Sequence, residues 1–216
     1  MSLTATDLIE TARDKYNGTG DTFFDDDFLY RWLTEACNVM ARRTNIIEAI
    51  DTQDTVADTQ EYDYPQYAMS LKRVEYEGGK LQLITFREDD AITLSGQTGD
   101  ATGTPVFYTD FDRTISLRPV PSAVGELKIY YYSLHPDLIE GSTVLIPDEY
   151  QASLVDFVLA NMYAKDKDFN AATFYETKFE KTLQEIIRQK QAKKRADKFA
   201  SVQSEELLPS TVIGAS

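Results

Sequence analysis

Hydrophobic positions change their spacing twice along the chain, and these changes predict the order of the elements. Residues 4–16 and 25–43 repeat apolar side chains every three to four positions, as amphipathic helices do. Over residues 45–145 the apolar runs are short, alternate with polar residues and are separated by glycine and proline, which is typical of strands. Helical spacing returns over residues 146–199. We therefore predict helices on both sides of a strand-rich insert.

The N-terminal helices carry recognisable start signals. Thr4 is the predicted N-cap of the first helix, with Asp7 three residues later. The second helix follows three aspartates, residues 25–27, whose carboxylates suit the free N–H groups and the positive end of a helix dipole. A calcium loop would need alternating oxygen ligands and a glycine at the turn, whereas Phe28 follows directly. We predict caps here, not metal ligands.

The insert is predicted to contain short strands joined by turns. A surface loop over residues 95–104 is rich in glycine and threonine, but it lacks the Gly-Lys-Ser/Thr ending of a phosphate-binding loop. Residues 87–91 are predicted to form a short helical turn. The predicted strands are 46–56, 61–64, 70–76 paired with 80–86 across 77–79, 106–108 paired with 114–117 across 111–113, and 127–133.

The helix after Pro147 is apolar around most of its circumference. Such a helix must be enclosed by neighbours, and in a chain of this size another subunit is one possible neighbour. The candidate residues for a subunit interface are Leu154, Val155, Val158, Leu159 and Met162.

The C-terminal end differs in charge from the rest of the chain. A long helix with an apolar stripe from Tyr175 to Ile187 is predicted to begin near Asp168 and to reach about Phe199. Beyond it, residues 200–216 are too short and polar to fold alone, and an extended tail with incidental apolar residues is as plausible as a binding segment. The basic helix end consists of Lys193, Lys194, Arg195 and Lys198, and the apolar pairs of the tail are Leu207 with Leu208 and Val212 with Ile213.

Together these elements predict an α+β fold. A bundle of about four helices combines residues 1–44 and 146–199, an antiparallel β-rich subdomain is inserted at 45–145, and an extended tail covers 200–216.

Charge and rare residues narrow the possible functions. The chain of 216 residues has a formal net charge of −14, which disfavours a protein that grips nucleic acid through clustered cations. Solubility explains this charge, and so does an acidic surface or channel past which a polyanion slides without sticking. The single cysteine, Cys37, excludes an internal disulfide, and we expect it to be buried. The N-terminus has no signal-peptide pattern, and no stretch is apolar enough for a membrane span.

Catalytic chemistry finds little support in the residue pattern. His135 is the sole histidine and is followed by Pro136, so imidazole chemistry would depend on one loop position. No Ser/His/Asp arrangement or Cys/His metal cluster can be assigned. We therefore predict no enzyme activity, no cofactor and no metal.

Several segments, taken in their order along the chain, resemble head-to-tail adaptor proteins of tailed bacteriophages. The resemblance covers about residues 3–195, and the individual motifs are strand ends and turns, with no chemical signature. The segments are EYDYP at 61–65, VEYEGGKL at 74–81, GTPVFY at 103–108, LRPVP at 117–121, IYYY at 129–132, LIPDEY at 145–150 and DFNAA at 168–172.

This resemblance implies a structural role in the virion neck. Members of that family form a ring, usually of twelve copies, beneath the portal protein, and the ring joins the capsid to nozzle, neck or tail proteins while DNA passes without tight binding. A C-terminal extension docks into the portal, which would assign that role to the basic helix end and the apolar tail. Two alternatives stay open: another neck or tail component, such as a stopper or tail-completion protein, and a soluble ligand-binding module that uses the β insert.

Overall fold

The structure, a computed structural model, describes residues 3–17, 24–94 and 101–206; the side chains of 92–94 and 197–206 are not included in that description. It confirms the predicted α+β class. The helices are α1 (Ala5–Asn17), α2 (Asp26–Thr44), α3 (Phe86–Leu94), α4 (Asp148–Lys165) and α5 (Phe169–Glu206).

Contacts divide the chain into two compact units. The helical unit combines Met1–Ala36 with Ile139–Ser216, so it is built from both ends of the chain. The sheet unit is Cys37–Leu138. The subdivision predicted from the sequence, with boundaries at 44, 145 and 199, stays a prediction.

Caps define the helix starts in the helical unit. The Thr4 N–H donates to the Asp7 carboxylate over 2.8 Å, and the Asp7 N–H donates to the Thr4 hydroxyl over 3.2 Å, which forms a capping box at the start of α1. At α2, the Asp27 N–H donates to the Asp25 carboxylate over 3.3 Å. Both predicted caps are confirmed, and the aspartate run is explained by helix initiation.

Helix α4 packs between α1 and α5. A short turn over residues 166–168 reverses the chain, with Lys167 in the left-handed region at φ 65°. The Tyr150 hydroxyl, near the start of α4, lies 2.9 Å from the side-chain oxygen of Gln189 on α5. The two helices are therefore antiparallel. Helix α5 extends to Glu206, beyond Phe199, where the sequence predicted its end.

The sheet unit contains two four-stranded sheets. The first has the order β1-β10-β3-β4 and is antiparallel throughout, whereas the second has the order β2-β8-β7-β5 and ends in a parallel pair. The strands are β1 (Glu48–Asp54), β2 (Glu61–Asp63), β3 (Ala68–Tyr76), β4 (Gly79–Lys80), β5 (Gln82–Leu83), β6 (Thr102–Gly103), β7 (Phe107–Phe111), β8 (Thr114–Arg118), β9 (Val120–Pro121) and β10 (Glu126–Ser133).

The two sheets share one hydrophobic core. Its side chains come from alternating positions of both sheets, as expected for sheets that each bury one face. The buried members are Tyr62, Val74, Tyr76, Leu81, Tyr108, Ile115, Leu117, Leu127 and Ile129.

One predicted hairpin is wrong in its second half. The turn after β3 forms as expected, but pairing with β4 stops at Lys80. The Leu81 N–H still donates to Val74 in the first sheet, whereas the Gln82 N–H donates to Val106 in the second. The chain crosses between the sheets at Leu81, because its side chain is buried in their shared core.

The predicted turns and the short helix also change in extent. Phe111 belongs to β7, and the β7–β8 turn is made by Asp112 and Arg113, both with positive φ. Helix α3 begins at Phe86 because Thr85 and Glu88 form a capping box: the Thr85 N–H donates to the Glu88 carboxylate over 2.7 Å, and the Glu88 N–H donates to the Thr85 hydroxyl over 3.4 Å.

Candidate interaction surfaces

The five apolar residues proposed for a subunit interface lie inside the helical unit. Each is at most 1 % exposed, because α1 and α5 cover the two sides of α4. The need of α4 for neighbours is met within the chain, and these side chains are core residues of the helical unit. The residues are Leu154, Val155, Val158, Leu159 and Met162.

Helix α5 changes character along its length. Phe179, Leu183 and Ile186 are buried against the helical unit, at 2 % exposure or less. Beyond Ile187 the rest of the chain covers less of the helix surface, and residues 191–196 are all exposed. With 38 residues, α5 is ~57 Å long at 1.5 Å per residue. Its distal part therefore extends past the residues that anchor it.

The basic helix end predicted from the sequence lies on this distal part. Lys193, Lys194 and Arg195 are exposed, so their charges are open to a partner surface. The Lys198 side chain lies outside the described part of the structure, and so do the apolar tail residues Leu207, Leu208, Val212 and Ile213.

A row of aromatic rings connects the helices of the helical unit. Tyr175 on α5 stacks on Tyr163 of α4 with 5.6 Å between ring centroids and 3° between planes. Tyr163 contacts Tyr16 of α1, which meets Phe24 at 5.4 Å. Phe24 in turn lies 5.8 Å from Trp32 of α2. These contacts run from α5 through α4 and α1 to α2.

A lysine lies among the rings at one end of this row. The Lys165 ammonium, on the last turn of α4, is 3.8 Å from the Phe28 ring centroid and 5.7 Å from those of Phe24 and Trp32. These distances allow cation–π attraction, which joins the end of α4 to the start of α2. We call this group the lysine cage.

A second aromatic site lies in the sheet unit and is exposed. Phe86 and Phe111 meet edge to face, with ring centroids 5.2 Å apart. Their exposed fractions are 51 % and 65 %. We call Phe86 and Phe111 the aromatic patch.

The sole cysteine and the sole histidine of the chain are buried. Burial raises the pKa of the Cys37 thiol to about 12, so the reactive thiolate is scarce at neutral pH. The predicted burial of Cys37 is confirmed. His135 is 3 % exposed, its Nδ1 lies 2.7 Å from the Pro136 carbonyl, and burial lowers its pKa. Neither side chain is placed to meet a substrate.

The described residues contain neither a cluster of metal-binding side chains nor a helix suited to a membrane. No group of three or more His, Cys, Asp or Glu side chains there has an arrangement that would hold a metal ion. In the same residues, no helix is both long and apolar enough to cross a membrane.

Sequence reasoning missed both aromatic sites. The lysine cage brings together residues far apart in sequence, and no local pattern marks them. The aromatic patch had a partial signal, because Thr85 and Glu88 have capping-box spacing and place Phe86 in the first helical turn. The packing of α3 on the second sheet brings Phe86 into contact with Phe111. The spacing of residues along the sequence does not reveal this packing.

Comparison with known proteins gives one result that spans nearly the whole chain. The sequence model of the SU10 adaptor protein family matches residues 3–203. No curated protein matches the chain.

Proposed function

The chain belongs to the SU10 adaptor protein family, and from this we propose that it is a structural virion protein that joins the portal of a bacteriophage capsid to the tail. Copies would form a ring beneath the portal, with twelve as the expected number, and the other side of the ring would meet nozzle, neck or tail proteins. The protein would act by binding alone, without catalysis or a cofactor.

The observation that carries this proposal is the form of helix α5. Its first part is anchored by Phe179, Leu183 and Ile186, and its distal part presents Lys193, Lys194 and Arg195 to solvent. A rigid helix fixed at one end can position a binding segment away from the body of the protein. We propose that the basic end pairs with portal carboxylates.

The tail would supply the apolar part of this contact. The pairs Leu207 with Leu208 and Val212 with Ile213 follow the basic end, and they would fill pockets on the portal. Ordering such a segment costs roughly 1–2 kcal/mol per residue in backbone entropy. Several anchors must therefore be buried together for docking to be favourable.

The charge of the chain agrees with passage of DNA through the ring. With a net charge of −14, a channel wall that is acidic would repel phosphates and let the duplex slide. Tight duplex binding by the assembled ring at physiological salt would contradict this part of the proposal.

The decisive experiment mixes the protein with the purified portal ring of the same phage. Deletion of residues 201–216 should leave a folded, soluble protein that no longer joins the portal in sedimentation or electron microscopy. The triple change Lys193→Glu, Lys194→Glu and Arg195→Glu should weaken binding. The single change Lys194→Glu should weaken it less, and Lys181→Glu, at an exposed position closer to the anchored part of α5, is the charge-matched control for that single change. Unchanged portal binding by the truncated protein would assign docking to another segment. Binding only to a preassembled neck would favour a stopper or tail-completion role.

A further inference from the structure

We propose that the aromatic patch of the sheet unit is a docking site for a cationic side chain, arginine or lysine, of a partner protein. This inference concerns a surface that the proposed portal contact does not use. It depends on three features: the patch is held in a fixed shape, the described residues place no cation on its rings, and carboxylates adjoin both phenylalanines along the chain.

The patch is fixed by polar contacts beneath and beside it. Arg118 of β8 donates from Nε and Nη2 to the two carboxylate oxygens of Asp89 on α3, over 2.8 and 3.1 Å, and Asp89 is 7 % exposed. This bidentate pair holds α3 on the sheet. The capping box at Thr85 fixes the first turn of α3, which carries Phe86. The Phe86 ring is thus positioned before any partner arrives, which reduces the entropy cost of binding.

Phe111 is held from the other side. It directly precedes the β7–β8 turn, where the Arg113 guanidinium donates to the Ala68 carbonyl over 3.0 Å and lies above the Tyr64 ring. Asp110, on the other side of Phe111 in the chain, accepts a hydrogen bond from the Tyr64 hydroxyl. The turn and its neighbouring strand are therefore tied to the segment that follows β2.

Other ring pairs with an exposed phenylalanine are already covered by a cation. Phe28, paired with Trp32, has the Lys165 ammonium at 3.8 Å, and Phe174, paired with Tyr175, has the Lys178 ammonium at 5.4 Å. Over the Phe86–Phe111 pair, by contrast, the described part of the chain places no lysine or arginine within cation–π distance. The electron-rich ring faces are thus open to a cation from another molecule.

The local charge favours the same occupant. Asp90 lies one helical turn after Phe86 on α3, and Asp112 directly follows Phe111; both are exposed. These carboxylates would add charge attraction to a guanidinium or ammonium seated on the rings, and they would repel a nucleic-acid phosphate. Arg87 follows Phe86 in the chain, but its guanidinium makes no cation–π contact with either ring. A protein surface that presents arginine or lysine fits this site.

The test uses the full-length protein and three peptides in which glycine alternates with arginine, norleucine or glutamate. Peptide binding in each titration is measured from the aromatic NMR signals of isotope-labelled phenylalanine. The arginine peptide should shift the Phe86 and Phe111 signals saturably, and more strongly than either of the other peptides.

Phe86→Leu or Phe111→Leu keeps an apolar side chain but removes a ring, and each should weaken binding about two- to fivefold, as expected for one exposed cation–π contact. Phe169→Leu, at a position 67 % exposed in the helical unit, should leave the affinity unchanged.

Three results would overturn the proposal. The first is an equal affinity of the arginine peptide for the Phe86→Leu, Phe169→Leu and unaltered proteins. The second is equally strong binding of the norleucine peptide, which would show an apolar site. The third is self-association of the protein without peptide that Phe86→Leu abolishes in sedimentation, since the occupant would then be a second copy of this chain. Signals of the unaltered protein decide the second case without any variant, and Phe111→Leu supplies the comparison for the first case if Phe86→Leu folds poorly.

Discussion

Removal of the charge in the lysine cage should loosen the helical unit. Lys165 lies within cation–π distance of three rings, but only Phe28, at 3.8 Å, is close. Phe24 and Trp32, at 5.7 Å, are near the limit of the interaction. Lys165→Gln keeps most of the side-chain length and removes the cation, so it tests the electrostatic part of the contact.

The expected loss of stability follows from the exposure of Lys165. An exposed cation–π contact contributes about 0.5–1 kcal/mol, and Lys165 is exposed at the end of α4. One close contact and two distant ones therefore predict a loss of about 1 kcal/mol in the free energy of unfolding. With a urea dependence of about 2 kcal/mol per molar, the midpoint should fall by about 0.5 M.

The chain provides its own probe for this measurement. Trp32 is the sole tryptophan, so fluorescence excited at the indole band reports on the cage and on unfolding around it. Lys165→Arg should preserve both the emission and the midpoint, because the guanidinium is also a cation that interacts with rings. Lys181→Gln, at an exposed position on α5, controls for the general loss of one positive charge. If Lys165→Gln and Lys181→Gln have equal midpoints and equal emission, the cation–π account of the cage is wrong.

Three further predictions test buried groups. Burial lowers the pKa of His135 below its ordinary value of about 6.5, so as the pH falls the unfolded chain binds a proton at His135 before the folded protein does. The contribution of neutral His135 to the free energy of unfolding is complete above about pH 6.5 and is lost as the pH falls through the folded pKa. His135→Gln should flatten this decline, as measured by urea titrations at several pH values. With its pKa raised to about 12, the Cys37 thiol should resist Ellman's reagent in the folded protein and react readily in urea, so fast native labelling would contradict its burial. Asp89→Asn should lower the free energy of unfolding by about 3 kcal/mol, because it leaves the largely buried Arg118 guanidinium without its charge partner. The double change Asp89→Asn with Arg118→Met should lower it by less, which a double-mutant cycle would measure.

The helices were predictable because their signals are local. Leu29, Leu33 and Met40 of α2 recur at helical spacing and are fully buried, so the pattern identified both the helix and its inner face. The caps at Thr4 and Asp25 are equally local, since a cap depends on side chains within three residues of the helix start. These features require no knowledge of what lies across the core.

Strand partners were less predictable because they depend on distant residues. The run after Lys80 alternates as a strand should, yet alternation does not specify which sheet the strand joins. Gln82 pairs with Phe107 in the second sheet, and the burial of Leu81 between the sheets decides the crossing. The aromatic patch depends on the same crossing, because β5 leads directly into α3 and Phe86.

The position of α4 changes how a ring of copies would be held. A helix that is apolar nearly all round first pointed to a neighbouring subunit, but Leu154, Leu159 and Met162 are fully buried between α1 and α5 of the same chain. Apart from the aromatic patch, the large apolar side chains that remain exposed in the described residues are distributed over separate elements, such as Ile50 on β1 and Phe169 on α5. Scattered apolar contacts bury little area each, and the negative charge of every copy opposes association. In the proposed ring, neighbouring copies would thus gain less from each other than from a shared portal, which favours assembly on the portal over assembly of free copies.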